Sequence, residues 1–121
     1  EVDKGQLVGY GGTYKLTKRS RIATIGVGYA DGYQRSLSGL STVFHHSSPL
    51  PVVGRISMDS ITVDISSLPE NELKEGNFVE LIGKNFTIDQ AASLAQTVPY
   101  EMITGLGRRH YRYYKQIKDG L

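Results

Sequence analysis

The sequence contains no cysteine among its 121 residues, and this absence excludes two kinds of small domain. The chain is not a disulfide scaffold, and it has no thiolate with which to bind zinc or an iron–sulfur cluster. The absence also fits a reducing compartment. A chain of this length predicts one domain with a modest hydrophobic core.

A strong charge of one sign is also missing. The chain has fourteen Lys and Arg residues and twelve Asp and Glu residues, which gives a net charge of +2. This composition does not indicate nucleic acid or an anionic membrane as a partner. No apolar run approaches the roughly 18 residues that a membrane span needs. The polar start at residues 1–4 is unlike a signal peptide and lacks an initiator Met, so we expect a fragment or a processed product.

The common catalytic motifs are absent as well. Glycine spacing fits neither a dinucleotide fingerprint nor a P-loop, and neither G-x-S-x-G nor H-E-x-x-H occurs. His45 and His46 are adjacent, and neighbouring residues of a strand point to opposite faces. We therefore predict no metal site.

Glycine is abundant instead, and near the N-terminus it surrounds a tyrosine. Positions 9, 11 and 12 are glycines on either side of Tyr10. Such a stretch packs little core itself, but it lets the backbone pass close to another surface while Tyr10 projects from it.

Residues 21–29 predict a strand that ends in a turn. At a period of two, one face of the strand carries Ala23, Ile25, Val27 and Tyr29. Gly26 and Gly28 leave the other face nearly bare, so another backbone or a ligand can approach there. Asp31-Gly32 predicts a turn with a positive φ. The pattern fits a binding or catalytic site at the end of a strand. It fits equally well a strand that ends in a turn without any such role.

Residues 52–65 predict a second strand whose apolar phase changes midway. Its apolar residues first occupy even positions and then odd ones: Val52, Ile56, Met58, then Ile61, Val63, Ile65. A regular strand cannot slip in this way, so we predict a bulge or break near 57–60. Bulges free backbone N–H groups and cluster near active sites, although a barrel corner without chemistry fits as well.

The remaining elements complete a mainly β prediction. They comprise strands at 42–44 and 77–82, a helix begun by the capping box of Thr87 and Gln90, and a helical turn from Pro99 to Gly105. With six or seven short strands and one or two short helices near residues 87–104, the predicted fold is a partly open antiparallel or Greek-key β-barrel.

The segment 108–115 supports a different function. It interleaves cations with aromatic rings, RRHYRYYK, as proteins that bind single-stranded nucleic acid do. A small barrel with such a tail would suit an OB-fold. A half-exposed final strand gives the same pattern, and the balanced net charge speaks against nucleic acid.

Four segments, taken together, resemble the C-terminal domain of bacterial alanine racemase. They are VGYGGTY at 8–14, VGYADGYQR at 27–35, VGRISMD at 53–59, and VPYE at 98–101 with GRR at 107–109. Their order and spacing both agree, over about residues 5–115. We therefore assign residues 1–121 to this β domain.

The resemblance implies a cytoplasmic, dimeric, pyridoxal-phosphate-dependent enzyme that interconverts L- and D-alanine for peptidoglycan. It also implies a partner, the N-terminal barrel that carries the cofactor on a lysine, on which the C-terminal domain of the other subunit closes. Neither nucleic acid nor a membrane is expected as a partner. The implied roles are Tyr10 as catalytic base, Met58 as substrate-carboxylate ligand through its N–H, Tyr29, Arg35 and Arg55 at the substrate entryway, and Tyr100 near the cofactor phosphate.

The chain departs from the complete family pattern in its length. The barrel is missing, none of the seven lysines stands in the context of a cofactor lysine, and the first strand before Gly5 is expected to be cut short. We therefore expect this chain alone to be inactive and to hold no pyridoxal phosphate.

Overall fold

The structure is a computed structural model that describes residues 1–12 and 14–114, without the side chains of Tyr10 and Tyr14. Within these residues the fold consists of three antiparallel strand pairs and two α-helices. The strands are β1 (Leu7–Val8), β2 (Tyr14–Lys15), β3 (Ile22–Ile25), β4 (Thr42–His45), β5 (Ser48–Pro51) and β6 (Ile61–Asp64); the helices are α1 (Ile88–Leu94) and α2 (Pro99–Thr104). β1 pairs with β2, β3 with β6, and β4 with β5.

The prediction of a mainly β fold with one or two short helices near 87–104 is confirmed, and the structure has two. The three pairs are not closed into a barrel. Single bridges add Val52 to the β3–β6 pair through Val63, and Glu80 to the β4–β5 pair through Phe44. In the described part of the chain, neither helix has the length and apolar character to cross a membrane.

One hydrophobic core joins the strand pairs to the helices. Its centre consists of fully buried side chains from the strands and the segments beside them: Leu37, Val43, Leu50, Ile56, Ile61 and Val63. Helix α1 adds Ala91 and Ala92, and α2 adds Met102. Each large aliphatic side chain buried in this way stabilises the fold by about 1.5–3 kcal/mol, so the core fixes the ends of the loops that carry the site.

The predicted helix ends are confirmed. The Gln90 N–H donates to Thr87 Oγ1 at 3.2 Å, and the Thr87 N–H donates to Gln90 Oε1 at 2.8 Å. Pro99 opens α2, and Gly105 caps it by donating to the Glu101 carbonyl. These signals act within one turn of helix, and for that reason they are readable from sequence.

The first predicted strand is shorter than its apolar pattern indicates. β3 ends at Ile25, and residues Tyr29–Asp31 form a 3₁₀ turn instead of continuing the strand. The N–H of Gly28 donates to the Asp31 carboxylate at 3.0 Å rather than to a neighbouring strand. Gly32 adopts φ 104°, so the predicted turn is confirmed.

Two later strand predictions differ in outcome. Between the Val52 bridge and β6 the described backbone contains no strand, so the predicted break is confirmed and is wider than 57–60. The predicted strand at 77–82 is wrong, because only Glu80 bridges to another strand. Val79, Leu81 and Ile82 nevertheless pack against the core, and this produces the apolar pattern without a strand.

Candidate functional site

The backbone at Tyr10 is held close to the segment that carries Arg55. Gly9 and Gly54 have φ 84° and 77°, and their backbones touch: a Cβ on Gly9 would lie 2.6 Å from the Gly54 Cα and 2.7 Å from the Arg55 nitrogen. Gly11 follows Tyr10 with φ 73°. Only glycine suits these positions, so the backbone on either side of Tyr10 is fixed relative to the Arg55 segment. The Tyr10 side chain itself lies outside the described residues.

Met58 occupies the corner of a tight turn. The Ser57 N–H donates to the Ser60 carbonyl at 3.1 Å, and the Ser60 N–H donates to Ser57 Oγ at 3.1 Å. Met58 is 56% exposed, and no acceptor for its N–H is present in the part of the chain that the structure describes. A free amide N–H at an exposed turn corner is suited to an anionic ligand.

The Tyr29 turn lies directly against the Met58 turn. The Tyr29 N–H donates to the Ser57 carbonyl at 3.0 Å, and the Ala30 N–H donates to the Met58 carbonyl at 2.9 Å. A Cβ on Gly28 would lie 2.4 Å from the Met58 carbonyl carbon and oxygen. The prediction that another backbone approaches the bare glycine face is therefore confirmed at Gly28.

The three predicted entryway residues lie on these two segments. The Arg35 guanidinium stands 5.8 Å from the centre of the Tyr29 ring, and both side chains are exposed. Arg55 is exposed and lines a cleft of about 280 Å³ that also includes Gly9 and Ser57. We call this surface the candidate face; it consists of Gly9, Tyr29, Arg35, Arg55 and Met58.

Tyr100 lies apart from the candidate face. Its side chain is 80% exposed in the first turn of α2, and no hydrogen bond or ring contact joins it to the candidate face among the described residues. The end of α2 does reach the Tyr29 turn, because a Cβ on Gly32 would lie 2.8 Å from the Gly105 carbonyl oxygen. Helix α2 thus has a fixed position relative to the candidate face.

A partly buried ion pair at this site was missed by the sequence analysis. Arg109 donates from Nε to Asp31 Oδ1 at 2.8 Å and from Nη2 to Asp31 Oδ2 at 2.5 Å. The Asp31 side chain is 6% exposed. The hydrogen bonds from Arg109, and then the one from the Gly28 N–H, lower the pKa of Asp31 from 3.8 to about 2, although burial opposes this. The partners stand 78 positions apart, so no local pattern joins them.

The basic aromatic tail is partly tied to the end of β3 and to the Tyr29 turn. His110 Nε2 donates to the Gly26 carbonyl at 2.8 Å, and the Gly107 N–H donates to the Asp31 carbonyl at 3.0 Å. No strand occurs at 108–114, so the alternative of a half-exposed final strand is wrong there; Lys115 lies outside the described residues. In the described part of the chain, no group of three or more His, Asp or Glu residues could hold a metal ion.

The family model for the alanine racemase C-terminal domain matches residues 1–114 of the chain. The chain belongs to this family. The alanine racemase of Brucella ovis is 52% identical over 120 residues, which cover 99% of this chain and 30% of that protein.

Solved structures agree. The alanine racemase of Bartonella henselae, which has covalently bound pyridoxal phosphate, superposes with a TM-score of 0.88 at 41% identity and covers 94% of this chain and 32% of its own. The biosynthetic alanine racemase of Pseudomonas aeruginosa superposes with a TM-score of 0.86 at 37% identity. The match covers 96% of this chain and 32% of that protein. The chain therefore spans about a third of the racemases it matches.

This membership speaks against the nucleic-acid-binding alternative. The family match includes the tail up to residue 114, where Arg109 binds Asp31 of the Tyr29 turn and His110 binds the Gly26 carbonyl. The nucleic-acid-binding alternative is not favoured.

Proposed function

We propose that this chain is the part of an alanine racemase that supplies one proton-transfer group and the carboxylate-binding amide to a pyridoxal phosphate site. One observation carries the proposal. The Gly9–Gly54 contact puts the backbone at Tyr10 beside the Arg55 segment, and the Gly28–Met58 contact puts the Tyr29 turn beside the Met58 turn.

The residues of this chain fit the edge of a cofactor site rather than its covalent anchor. The described lysines are all exposed: Lys4, Lys15, Lys18, Lys74 and Lys84. The exposed phenol of Tyr100 is suited to a hydrogen bond with the cofactor phosphate. We therefore expect the lysine that holds the cofactor to lie in the remaining length of a complete racemase.

Racemisation requires that the α-proton leave one face of the amino acid and return on the other. Bound pyridoxal phosphate withdraws electrons from the α-carbon and so makes that proton acidic. Tyr10 would accept or donate the proton on one face. Because a phenol has a pKa of about 10, positive charge or hydrogen-bond donors around its oxygen must lower that pKa before it acts as a base.

The other residues of the candidate face would guide and orient the substrate. The Met58 N–H would donate to the alanine carboxylate. The exposed cations of Arg35 and Arg55 would attract that carboxylate to the entryway, where Tyr29 restricts the opening.

The partner for this surface is the N-terminal barrel of a second subunit in a homodimer. Two observations support a missing partner: the chain spans about 30% of its Brucella relative, and the candidate face is open to solvent. The bacterial cytoplasm, with D-alanine for peptidoglycan as the product, remains the expected setting.

The test replaces Tyr10 in the complete enzyme. We expect Tyr10→Phe to lower alanine racemisation by about 10²-fold or more, as the loss of a proton-transfer group does, and to leave the absorbance of the bound cofactor unchanged. Tyr113→Phe, the same change on an exposed tail side chain, is the matched control. The 121-residue chain with added pyridoxal phosphate should show no turnover. Undiminished turnover of Tyr10→Phe, or an active isolated chain, would contradict the proposal.

A further inference from the structure

The Arg109 side chain joins three segments near the candidate face. Besides its two bonds to Asp31, its Nη2 lies 3.3 Å from the carbonyl oxygen of Gly26 and 3.3 Å from that of Asp59. It thus connects the end of β3, the Tyr29 turn and the residue that follows Met58. A planar guanidinium is suited to this, because its donors point in fixed directions.

Asp31 extends the connection into the Tyr29 turn. Its carboxylate accepts the Gly28 N–H at 3.0 Å, and its carbonyl accepts the Gly107 N–H at 3.0 Å. A Cβ on Gly107 would lie 2.9 Å from the Ala30 carbonyl oxygen, so the tail backbone presses on the same turn. The Tyr29 turn is therefore held from both sides.

The Tyr29 turn fixes the direction of the Met58 amide. The Ser57 carbonyl and the Met58 N–H belong to one planar trans peptide, so they point in opposite directions. The Tyr29 N–H binds that Ser57 carbonyl at 3.0 Å. Holding the oxygen on the side of the Tyr29 turn aims the N–H to the opposite side, where no described residue accepts it.

We infer that Arg109 and Asp31 form a positioning clamp that aims the Met58 N–H at the substrate carboxylate. The inference rests on the proposed function. Neither residue touches the substrate; both act through the Tyr29 and Met58 turns. The Tyr10 backbone is held by a different contact, that of Gly9 with Gly54, and no described bond of Arg109 reaches it.

This separation predicts a kinetic signature that a purely structural ion pair would not produce. A misdirected Met58 N–H weakens binding of the carboxylate in the ground state and in the transition state alike, which raises KM and leaves kcat nearly unchanged. Loss of general stability would lower the amount of active enzyme and leave KM as it was.

The experiment measures alanine racemisation by the complete enzyme and its variants. We expect Arg109→Ala and Asp31→Asn each to raise KM for alanine about tenfold with kcat changed by less than about twofold, as a small misplacement of a binding group does. Inhibition by propionate, which has the carboxylate and no amine, should weaken by the same factor. The double variant should match the single ones instead of multiplying their effects, since both break one clamp.

Two further variants make the result interpretable. Arg19→Ala removes another arginine with acidic partners, but its pairs with Glu1 and Asp3 lie between exposed side chains, so KM should not change. Arg109→Lys reaches Asp31 without the planar fork, so its KM should fall between those of the wild type and Arg109→Ala. If Arg109→Ala does not fold, Arg109→Lys and Asp31→Asn supply the measurement.

Unchanged KM in folded Arg109→Lys and Asp31→Asn, or a fall in kcat alone, would overturn the clamp. An unaltered enzyme that does not racemise alanine would instead overturn the proposed function.

Discussion

At the scale of single residues, Gly28 sets how closely the Tyr29 and Met58 turns approach. We expect Gly28→Ala to lower the free energy of unfolding by about 1–3 kcal/mol or more, because the new methyl group would lie 2.4 Å from the Met58 carbonyl group and backbone atoms must move. Urea denaturation measures this loss, and KM for alanine in the complete enzyme should rise with it.

Gly26→Ala provides the matched control for that substitution. No heavy atom lies within 4 Å of a Cβ built on Gly26, and its carbonyl, which His110 and Arg109 use, is retained. Its free energy of unfolding should stay within about 0.5 kcal/mol of the wild type. Equal effects of the two substitutions would show that contact with the Met58 turn is not what requires glycine at position 28.

The sequence indicates where a close backbone approach requires glycine, but it does not indicate which charged residues pair. The bare face at Gly26 and Gly28 predicted a close approach, and the structure has one at Gly28. The sequence indicates only a turn at Asp31, because the tertiary fold is what brings its partner Arg109 to it. The roles of Tyr10, Met58, Tyr29, Arg35, Arg55 and Tyr100 came from the family resemblance, and they stay predictions.

At the scale of elements, the Asp31–Arg109 pair links the Tyr29 turn to the C-terminal tail, and its contribution depends on pH. The pKa of Asp31 falls from 3.8 to about 2 in the folded state. The ionised carboxylate is therefore more favourable in the folded state than in the unfolded state, and it stabilises the fold. The stabilisation is complete above the unfolded-state value of 3.8 and disappears as the pH falls through about 2.

Comparison of the wild type with Asp31→Asn tests this dependence. The difference in unfolding free energy between the two should be constant from pH 7 down to about 4 and should shrink between pH 3.8 and about 2. Denaturation series at several pH values measure it. A difference that does not change with pH over this interval would mean that the Asp31 charge is not what stabilises the turn.

Elements defined by local signals were predicted well, and those defined by packing were not. The bonds between Thr87 and Gln90 begin α1 as expected. The apolar pattern at 77–82 failed as a strand signal, because half-buried side chains such as Val79 pack on the core from an irregular backbone. Period-two patterns report burial, and they predict a strand only where a neighbouring strand accepts the hydrogen bonds.

At the scale of the whole molecule, much of the apolar side-chain surface is left uncovered. Phe78 is 93% exposed, and Val98, Ile103 and Leu106 are each about half exposed or more. Exposed large apolar side chains are common on surfaces that another domain or subunit buries. They agree with the proposal that this chain works against a barrel supplied by the rest of a dimeric racemase.

The most direct test of that proposal combines two inactive subunits of the complete enzyme. One carries Tyr10→Phe, and the other lacks the lysine that holds the cofactor; each homodimer should be inactive. If Tyr10 acts on the cofactor of the partner subunit, a mixed dimer contains one complete site, and random reassociation should restore about one quarter of wild-type alanine racemisation. No recovery in verified mixed dimers would contradict the account, because it would place Tyr10 and the cofactor lysine of each site on the same subunit.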